Sequence, residues 1–185
     1  VFDLDGTLVD SIPTMAAAGN LMLDAYDRPP VSTEECAGFV GNGPRKLVER
    51  LLLHRGGPPA EGLDAAVARF RAIYGADPIT GTHPYPGVAE AVARLAAAGH
   101  GLAVCTQKPN APALAILRGL GLSPPISGFT GGDSLTDAET ARAAGVPFLL
   151  HTRGYRRQAV ADLPHDGAFD DFTTLPELVE RVLGS

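Results

Sequence analysis

The chain has 185 residues, 45% of them hydrophobic and 19% charged, with a formal net charge of −6. That length suits one compact domain, or a core with a small insert, and suffices to bury a sizeable core. The absence of a Lys/Arg run excludes a nucleic-acid footprint. Two cysteines, Cys36 and Cys105, exclude a disulfide framework, and no Cys/His cluster of zinc type is present.

No apolar run reaches the roughly 18 residues of a membrane span, and no signal peptide is visible. The expectation is a cytoplasmic protein with neither membrane nor nucleic acid as partner. The oligomeric state is not legible. Trp is absent and aromatics are 6%, so Ala, Leu and Val must supply the core.

The apolar stub Val1-Phe2 leads into Asp3-Leu4-Asp5-Gly6-Thr7. It reads as the end of a buried strand through residue 4, with Gly6 as the turn leaving it. A normal strand needs a few more residues in front. Residues 12 to 75 read as helices. Pro13 suits a first turn, and Met15, Ala18, Leu21, Met22 and Ala25 recur at helical spacing. Ser32 or Thr33 followed by Glu35 resembles a helix start. Leu47, Leu51 and Leu52 mark another helix, and Leu63, Val67, Phe70, Ile73 and Tyr74 a further one.

From residue 81 the pattern alternates. Tyr85-Pro86-Gly87 is a turn, and Val88 to Ala98 an amphipathic helix closed by Gly99. Gly101 to Cys105 is a buried parallel strand ending at Thr106, and Ala111 to Leu120 a helix. Thr136 to Ala144 reads as a helix, Val146 to Leu150 as a strand, Gly167 to Phe169 as an edge strand, and Leu175 to Leu183 as a closing helix. Strands alternating with helices point to an α/β doubly wound domain. A block of helices between two strands points to an inserted subdomain.

In an open α/β sheet, ligands bind beyond the carboxyl ends of the strands. Those ends offer Asp3 and Asp5, then Thr106, then Asp133 with Asp137. In a strand, residues two apart share a side, and two carboxylates so placed repel unless a cation or shared proton intervenes. With Asp133 added, the set favours a hard cation such as Mg2+. A carboxylate can be the nucleophile that forms an acyl-phosphate. A second, protonated carboxyl can protonate a leaving oxygen and later activate water. Gly6 and Thr7 offer backbone N–H groups to a phosphate. The competing reading is an Asp-rich surface turn, with Asp133, Asp137 and Thr106 as helix caps.

Val1 to Ser11, VFDLDGTLVDS, resembles the first motif of the haloacid dehalogenase (HAD) superfamily. Thr106-Gln107-Lys108-Pro109 resembles its second motif. Gly132-Asp133-Ser134 with Asp137 and Ala141 to Gly145 resembles its fourth. Val40-Gly41-Asn42-Gly43 with Arg45, Tyr85-Pro86-Gly87-Val88 and Gly131 to Leu135 are similar to the phosphoglycolate phosphatase-like group. The resemblance covers nearly the whole chain. It implies a Rossmann-like HAD core at 1–11 and 81–185, with a helical cap at 12–80.

The same resemblance implies a Mg2+-dependent phosphomonoester hydrolase acting through an aspartyl-phosphate on Asp3. Its substrate would be 2-phosphoglycolate or a similar small phosphorylated metabolite. Asp5 would be the general acid/base, and Thr106 would steady the phosphoryl group. Asp3, the Asp5 backbone carbonyl and Asp133 would hold the metal, supported by Asp137.

The family's third motif, a Lys, has no counterpart, because no Lys follows Lys108. The core accordingly reads as lacking one βα unit, roughly 30 residues, near Leu135/Thr136. A true deletion, a fragmentary gene and an incomplete chain all remain open. Ile126 to Thr130 is a poor central strand, with Gly in its middle. Lys108 either partly neutralises the phosphate or, the favoured reading, points outward. In the cap, Arg45, with Asn42 nearby, either meets a substrate carboxylate or is a solvated charge at a helix start. His83, His151 and His165 read as loop residues, and Cys105 as core. Alternatives are another HAD phosphatase or sugar-phosphate mutase, a signalling receiver domain, and a catalytically impaired remnant. The early Asp-x-Asp and the helical insert argue against the receiver.

Overall fold

Helices dominate residues 11–83, and local chemistry sets their ends. The computed structural model describes residues 1–123, 126–130, 147–155 and 159–184, with 126–130 described by backbone alone. Helix α1 (Ile12–Asp24) opens with Pro in its first turn and buries Ile12, Met15, Ala18, Met22 and Leu23. Leu21, which shares the sequence periodicity, is exposed. Helix α2 (Thr33–Ala37) starts from a reciprocal cap: Ser32 Oγ accepts from the Glu35 N–H, and Glu35 accepts from the Ser32 N–H. That pairing satisfies two donors that a helix start leaves open.

Helix α3 (Gly43–His54) buries Leu47, Val48, Leu51 and Leu52. Helix α4 (Gly62–Ala76) buries Ala66, Val67, Phe70 and Tyr74. Both stripes follow the i, i+3, i+4 rule for one apolar face. A Cβ on Gly19 of α1 would stand 3.0 Å from Leu51 Cδ1 of α3, so a small residue lets these helices approach. Short extended pieces, β1 (Val9–Asp10) and β2 (His83–Pro84), bracket the helical stretch.

Two compact units result. One comprises Val1–Asp10, Pro84–Thr106 and Leu117–Ser185; the other comprises Ser11–His83 and Gln107–Ile116. The second therefore holds Gln107–Ile116 as well as the helices of the insert. Helix α6 (Asn110–Gly119) runs across that boundary.

The first unit carries the parallel pairings. Strand β3 (Leu102–Cys105) alternates buried and half-buried residues. It pairs in parallel with β4 (Ile126–Thr130), with an irregularity between Leu102 and Ala103. Despite its central Gly128, the poor-looking segment is therefore a strand, because its partner supplies the ladder. On β3 the chain start also pairs: Phe2 N–H donates to Ala103 O (2.8 Å), and Cys105 N–H donates to Phe2 O (2.7 Å). The pairing is a single parallel bridge, and Val1 is exposed, so the expected strand through residue 4 shrinks to one rung.

Strand β5 (Leu149–His151) pairs in parallel with β6 (Gly167–Phe169). It starts three residues later than the Val146 of the sequence reading and runs one residue past its end. Helices α5 (Val88–Ala97) and α7 (Leu175–Leu183) follow the sequence reading closely. α5 buries Val88, Ala91, Val92 and Leu95, while Phe172 and Leu175 are sealed ahead of and at the start of α7. The expected helix at Thr136–Ala144 and the junction at Leu135/Thr136 lie outside the described residues.

Candidate active site

The first unit's chemistry sits where its parallel pairing ends. Asp3 follows Phe2, and Thr106 follows Cys105, so both leave the same end of adjacent paired segments. Thr106 is buried (3% exposed), whereas Asp3 and Asp5 are half-buried. The acids are thus partly open to solvent, while Thr106 is enclosed.

Asp3 and Asp5 do not share a continuous strand, as alternation predicted. The chain turns at Leu4, whose carbonyl accepts from the N–H groups of Thr7 (3.3 Å), Leu8 (3.0 Å) and Val9 (3.0 Å). Leu4, Leu8 and Val9 are fully buried, and their burial anchors the loop from its inner side. Removing each such side chain from water is worth roughly 1.5–3 kcal/mol.

Gly6 departs from its expected role. Its N–H donates to Val9 O at 2.8 Å, and that of Thr7 goes to Leu4 O, so these amides serve the loop rather than a phosphate. Gly6 is required for two other reasons. Its φ is +81°, and a Cβ there would lie 2.9 Å from Tyr155 Cδ2 and 3.0 Å from Tyr155 N. The Gly6 carbonyl faces His151 Nδ1 at 3.0 Å. A Cβ on Gly154 would meet that same carbonyl at 2.5 Å.

His151 is thus a correction to the sequence reading. It ends β5, is buried, and faces the Gly6 carbonyl of the Asp-bearing loop rather than lying in a loop itself. Its ring packs on Tyr85 (4.9 Å), Phe172 (5.0 Å) and Phe169 (5.3 Å). Tyr85 in turn donates its N–H to Leu8 O at 3.1 Å. Tyr155 Oη donates to Asp10 Oδ1 at 2.7 Å. Burial pushes the Tyr85 phenol up to about 12, helped by the charges of Asp10 and Asp5. Burial likewise raises the Tyr155 phenol, with Tyr85, Asp10 and Asp5 adding to the shift.

Sequence reasoning missed Tyr85 and Tyr155 as partners of this loop. The available signal was weak: a polar residue ending an apolar strand, as His151 does in Phe148-Leu149-Leu150-His151. That signal was applied to Thr106 and not to His151.

In the helical unit, Lys108 is buried (7% exposed), not outward as favoured from sequence. Its Nζ donates to Tyr74 Oη at 2.6 Å and lies 4.5 Å from the ring centroid. A buried ammonium is costly without such a partner, and the phenol and ring supply one. Arg45 pairs with Asp64 on the exposed surface. Asn42 has a left-handed backbone (φ 63°) at the start of α3, and its Oδ1 accepts from Arg50 at 3.1 Å. Arg50 also donates to Phe39 O (2.8 Å) and Gly41 O (2.9 Å), a structural anchor that the sequence did not single out. Lys46 pairs with Glu49. Cys105 is half-buried and Cys36 buried; burial pushes the Cys36 thiol up to about 12, so it stays protonated.

Asp133 and Asp137 lie outside the described residues, and among the described residues no cluster of three His, Cys, Asp or Glu side chains forms. The donors at hand nevertheless suit a hard cation. They are the half-buried carboxylate oxygens of Asp3 and Asp5, and the nearby His151 Nδ1 is engaged by the Gly6 carbonyl. No described helix is long and apolar enough to cross a membrane.

Comparisons with known proteins show the family. A family model described as haloacid dehalogenase-like hydrolase matches residues 1–138. A phosphoglycolate phosphatase of Cereibacter sphaeroides (strain ATCC 17029 / ATH 2.4.9) is 38% identical, covering 99% of this chain and 98% of the relative. That alignment spans 213 positions against 185 residues here, so at least 28 of its positions have no counterpart in this chain. A phosphoglycolate phosphatase of Rhodospirillum rubrum is 38% identical over 95% of this chain and 88% of the relative. Among solved structures, a predicted phosphoglycolate phosphatase from Haemophilus somnus 129PT superposes with a TM-score of 0.88 at 26% identity, covering 96% of each chain.

Proposed function

Because the chain belongs to the haloacid dehalogenase-like hydrolase family, we propose that it is a Mg2+-dependent phosphomonoester hydrolase working through an aspartyl-phosphate on Asp3. Its substrate in this reading is 2-phosphoglycolate or a similar small phosphorylated acid, the substrate class named in its relatives. The observation that supports the proposal is the turn at Leu4, which carries two half-buried carboxylates on the loop that leaves Phe2, the residue paired with β3 just ahead of the buried Thr106.

In the first half-reaction an Asp3 carboxylate oxygen attacks phosphorus, and the bond to the ester oxygen breaks. Protonated Asp5 gives its proton to that leaving oxygen. In the second, Asp5 takes a proton from water, whose oxygen attacks phosphorus, and the bond to Asp3 breaks to release phosphate. Thr106 steadies the transferring group through its hydroxyl. Bound Mg2+, held by Asp3, the Asp5 backbone carbonyl and Asp133 with Asp137 in support, would neutralise charge on the phosphoryl oxygens. The helical unit acts as the cap that excludes water and selects substrate. Asn42 and Arg45 are its candidate substrate contacts, which requires Arg45 to leave Asp64.

One observation favours a weaker enzyme than the relatives. No Lys follows Lys108, and Lys108 is itself engaged by Tyr74, so the phosphate-side cation supplied by the family's third motif has no direct counterpart among the described residues. A sugar-phosphate mutase shares the aspartyl-phosphate step and differs in the acceptor, a sugar hydroxyl in place of water.

The test is phosphate release from 2-phosphoglycolate by the 185-residue chain, with and without Mg2+. Release that requires both Mg2+ and Asp3 supports the reading. Folded protein that releases none from any phosphorylated acid overturns it.

A further inference from the structure

The loop carrying Asp3 and Asp5 is held on its inner side by Leu4, Leu8 and Val9 and on its outer side by the segment that follows β5. That outer segment, His151–Tyr155, is about 145 residues away in sequence. Three of its groups reach the loop. His151 Nδ1 meets the Gly6 carbonyl at 3.0 Å, Gly154 leaves space for that carbonyl, and the Tyr155 ring covers the Gly6 α-carbon. The Tyr155 hydroxyl then crosses to the far end of the loop and donates to Asp10 Oδ1 at 2.7 Å. It also stands 3.4 Å from the Val9 carbonyl.

One side chain therefore spans the loop from Gly6 to Asp10. The ring presses the turn beside Asp5, and the hydroxyl latches the exit. A hydrogen bond to a carboxylate is stronger than a neutral one, and here it is partly shielded from water. All of these groups belong to the first unit.

We propose that Tyr155 is a positioning residue for the reaction: through Gly6 and Asp10 it fixes the turn that aims the Asp5 carboxyl at the leaving oxygen. The proposal rests on the phosphatase reading for its kinetic part only. Proton transfer demands that the acid stand within hydrogen-bond reach of the oxygen it protonates, so a loosened turn costs turnover before it costs binding. Tyr155 touches neither substrate nor metal in this account. Its effect travels through the loop backbone.

Two variants separate the latch from the ring. Tyr155→Phe keeps the ring over Gly6 and removes the hydroxyl. Asp10→Asn keeps the shape and weakens the acceptor. Each is expected to lower kcat about 5–30-fold with KM within about twofold. The double variant is expected to cost little more than either single change, because both act on the same Tyr155–Asp10 hydrogen bond.

Amide hydrogen exchange supplies a readout independent of catalysis. In Tyr155→Phe, exchange at Gly6, Leu8 and Val9 rises while that of Val104 and Cys105 in β3 stays as in the parent. Unchanged exchange in the loop overturns the latch whether or not the chain is active. So does a kcat loss that appears only in step with a lowered Tm, or additive losses in the double variant. An inactive parent overturns the phosphatase reading alone, and exchange then still decides the latch.

Discussion

Two glycine-bearing loops of this molecule have similar backbones and opposite surroundings. In the first unit, Gly6 (φ +81°) lies beneath Tyr155, within a turn whose amides are spent on Leu4 and Val9. In the helical unit, Gly41 (φ +112°) and Gly43 (φ +78°) flank Asn42, and nothing stands within 4 Å of a Cβ at either glycine. Arg50 ties that loop down, through Phe39 O, Gly41 O and Asn42 Oδ1. Glycine is needed for conformation in both places, but space is limiting only at Gly6. The loop that carries the proposed chemistry is built to hold one geometry. The loop carrying the proposed substrate contacts, Asn42 and Arg45, is built with room to adjust.

The largest expected effect breaks the first loop chemically. Asp3→Asn should reduce phosphate release by about a thousandfold or more, since it deletes the proposed nucleophile. Steady-state rates with a fold check by circular dichroism read this directly.

Next comes its packing. Gly6→Ala puts a methyl 2.9 Å from the Tyr155 ring at a left-handed φ, and should cost about 2–4 kcal/mol in urea unfolding. Gly41→Ala faces open space and should cost only about 1–2 kcal/mol, all from backbone conformation. Equal costs at the two sites would erase the distinction between the loops.

Arg50→Met sharpens it. Losing three hydrogen bonds from a half-buried guanidinium should cost about 1–2 kcal/mol. KM should rise more than kcat falls, the reverse of the pattern expected for Tyr155→Phe.

The smallest effect is on pH dependence. His54, then the Ser32 N–H and Arg55, hold the exposed Glu35 carboxyl down to about 2, from 4.5. A depressed carboxyl stabilises the fold above its unfolded pKa and loses that contribution as pH falls through the folded one. A slight loss of stability between pH 4.5 and 2 is expected, and Glu35→Gln should remove it. Solvent screening keeps the effect small.

The sequence showed the elements whose signals are local. The capping box at Ser32/Glu35, the apolar stripes of α3 and α4, and the strand Gly167–Phe169 all rest on residues a few positions apart. What it hid depends on distant partners. Strand β4 looks weak until β3 pairs with it. His151 looked like a loop residue until Gly6 was placed beside it. Lys108 looked solvated because nothing near it in sequence announces Tyr74, 34 residues earlier. Asp3 and Asp5 were found by type and spacing, yet their expected strand geometry failed, because three amides converge on Leu4 O and fold the chain there.

The most direct measurement is covalent. The 185-residue chain is mixed with 2-phosphoglycolate and Mg2+, quenched in acid during turnover, and its peptides are weighed. The account predicts one phosphoryl group on the peptide containing Asp3, absent in Asp3→Asn. Phosphate release with no such adduct, or an adduct that survives in Asp3→Asn, would contradict it.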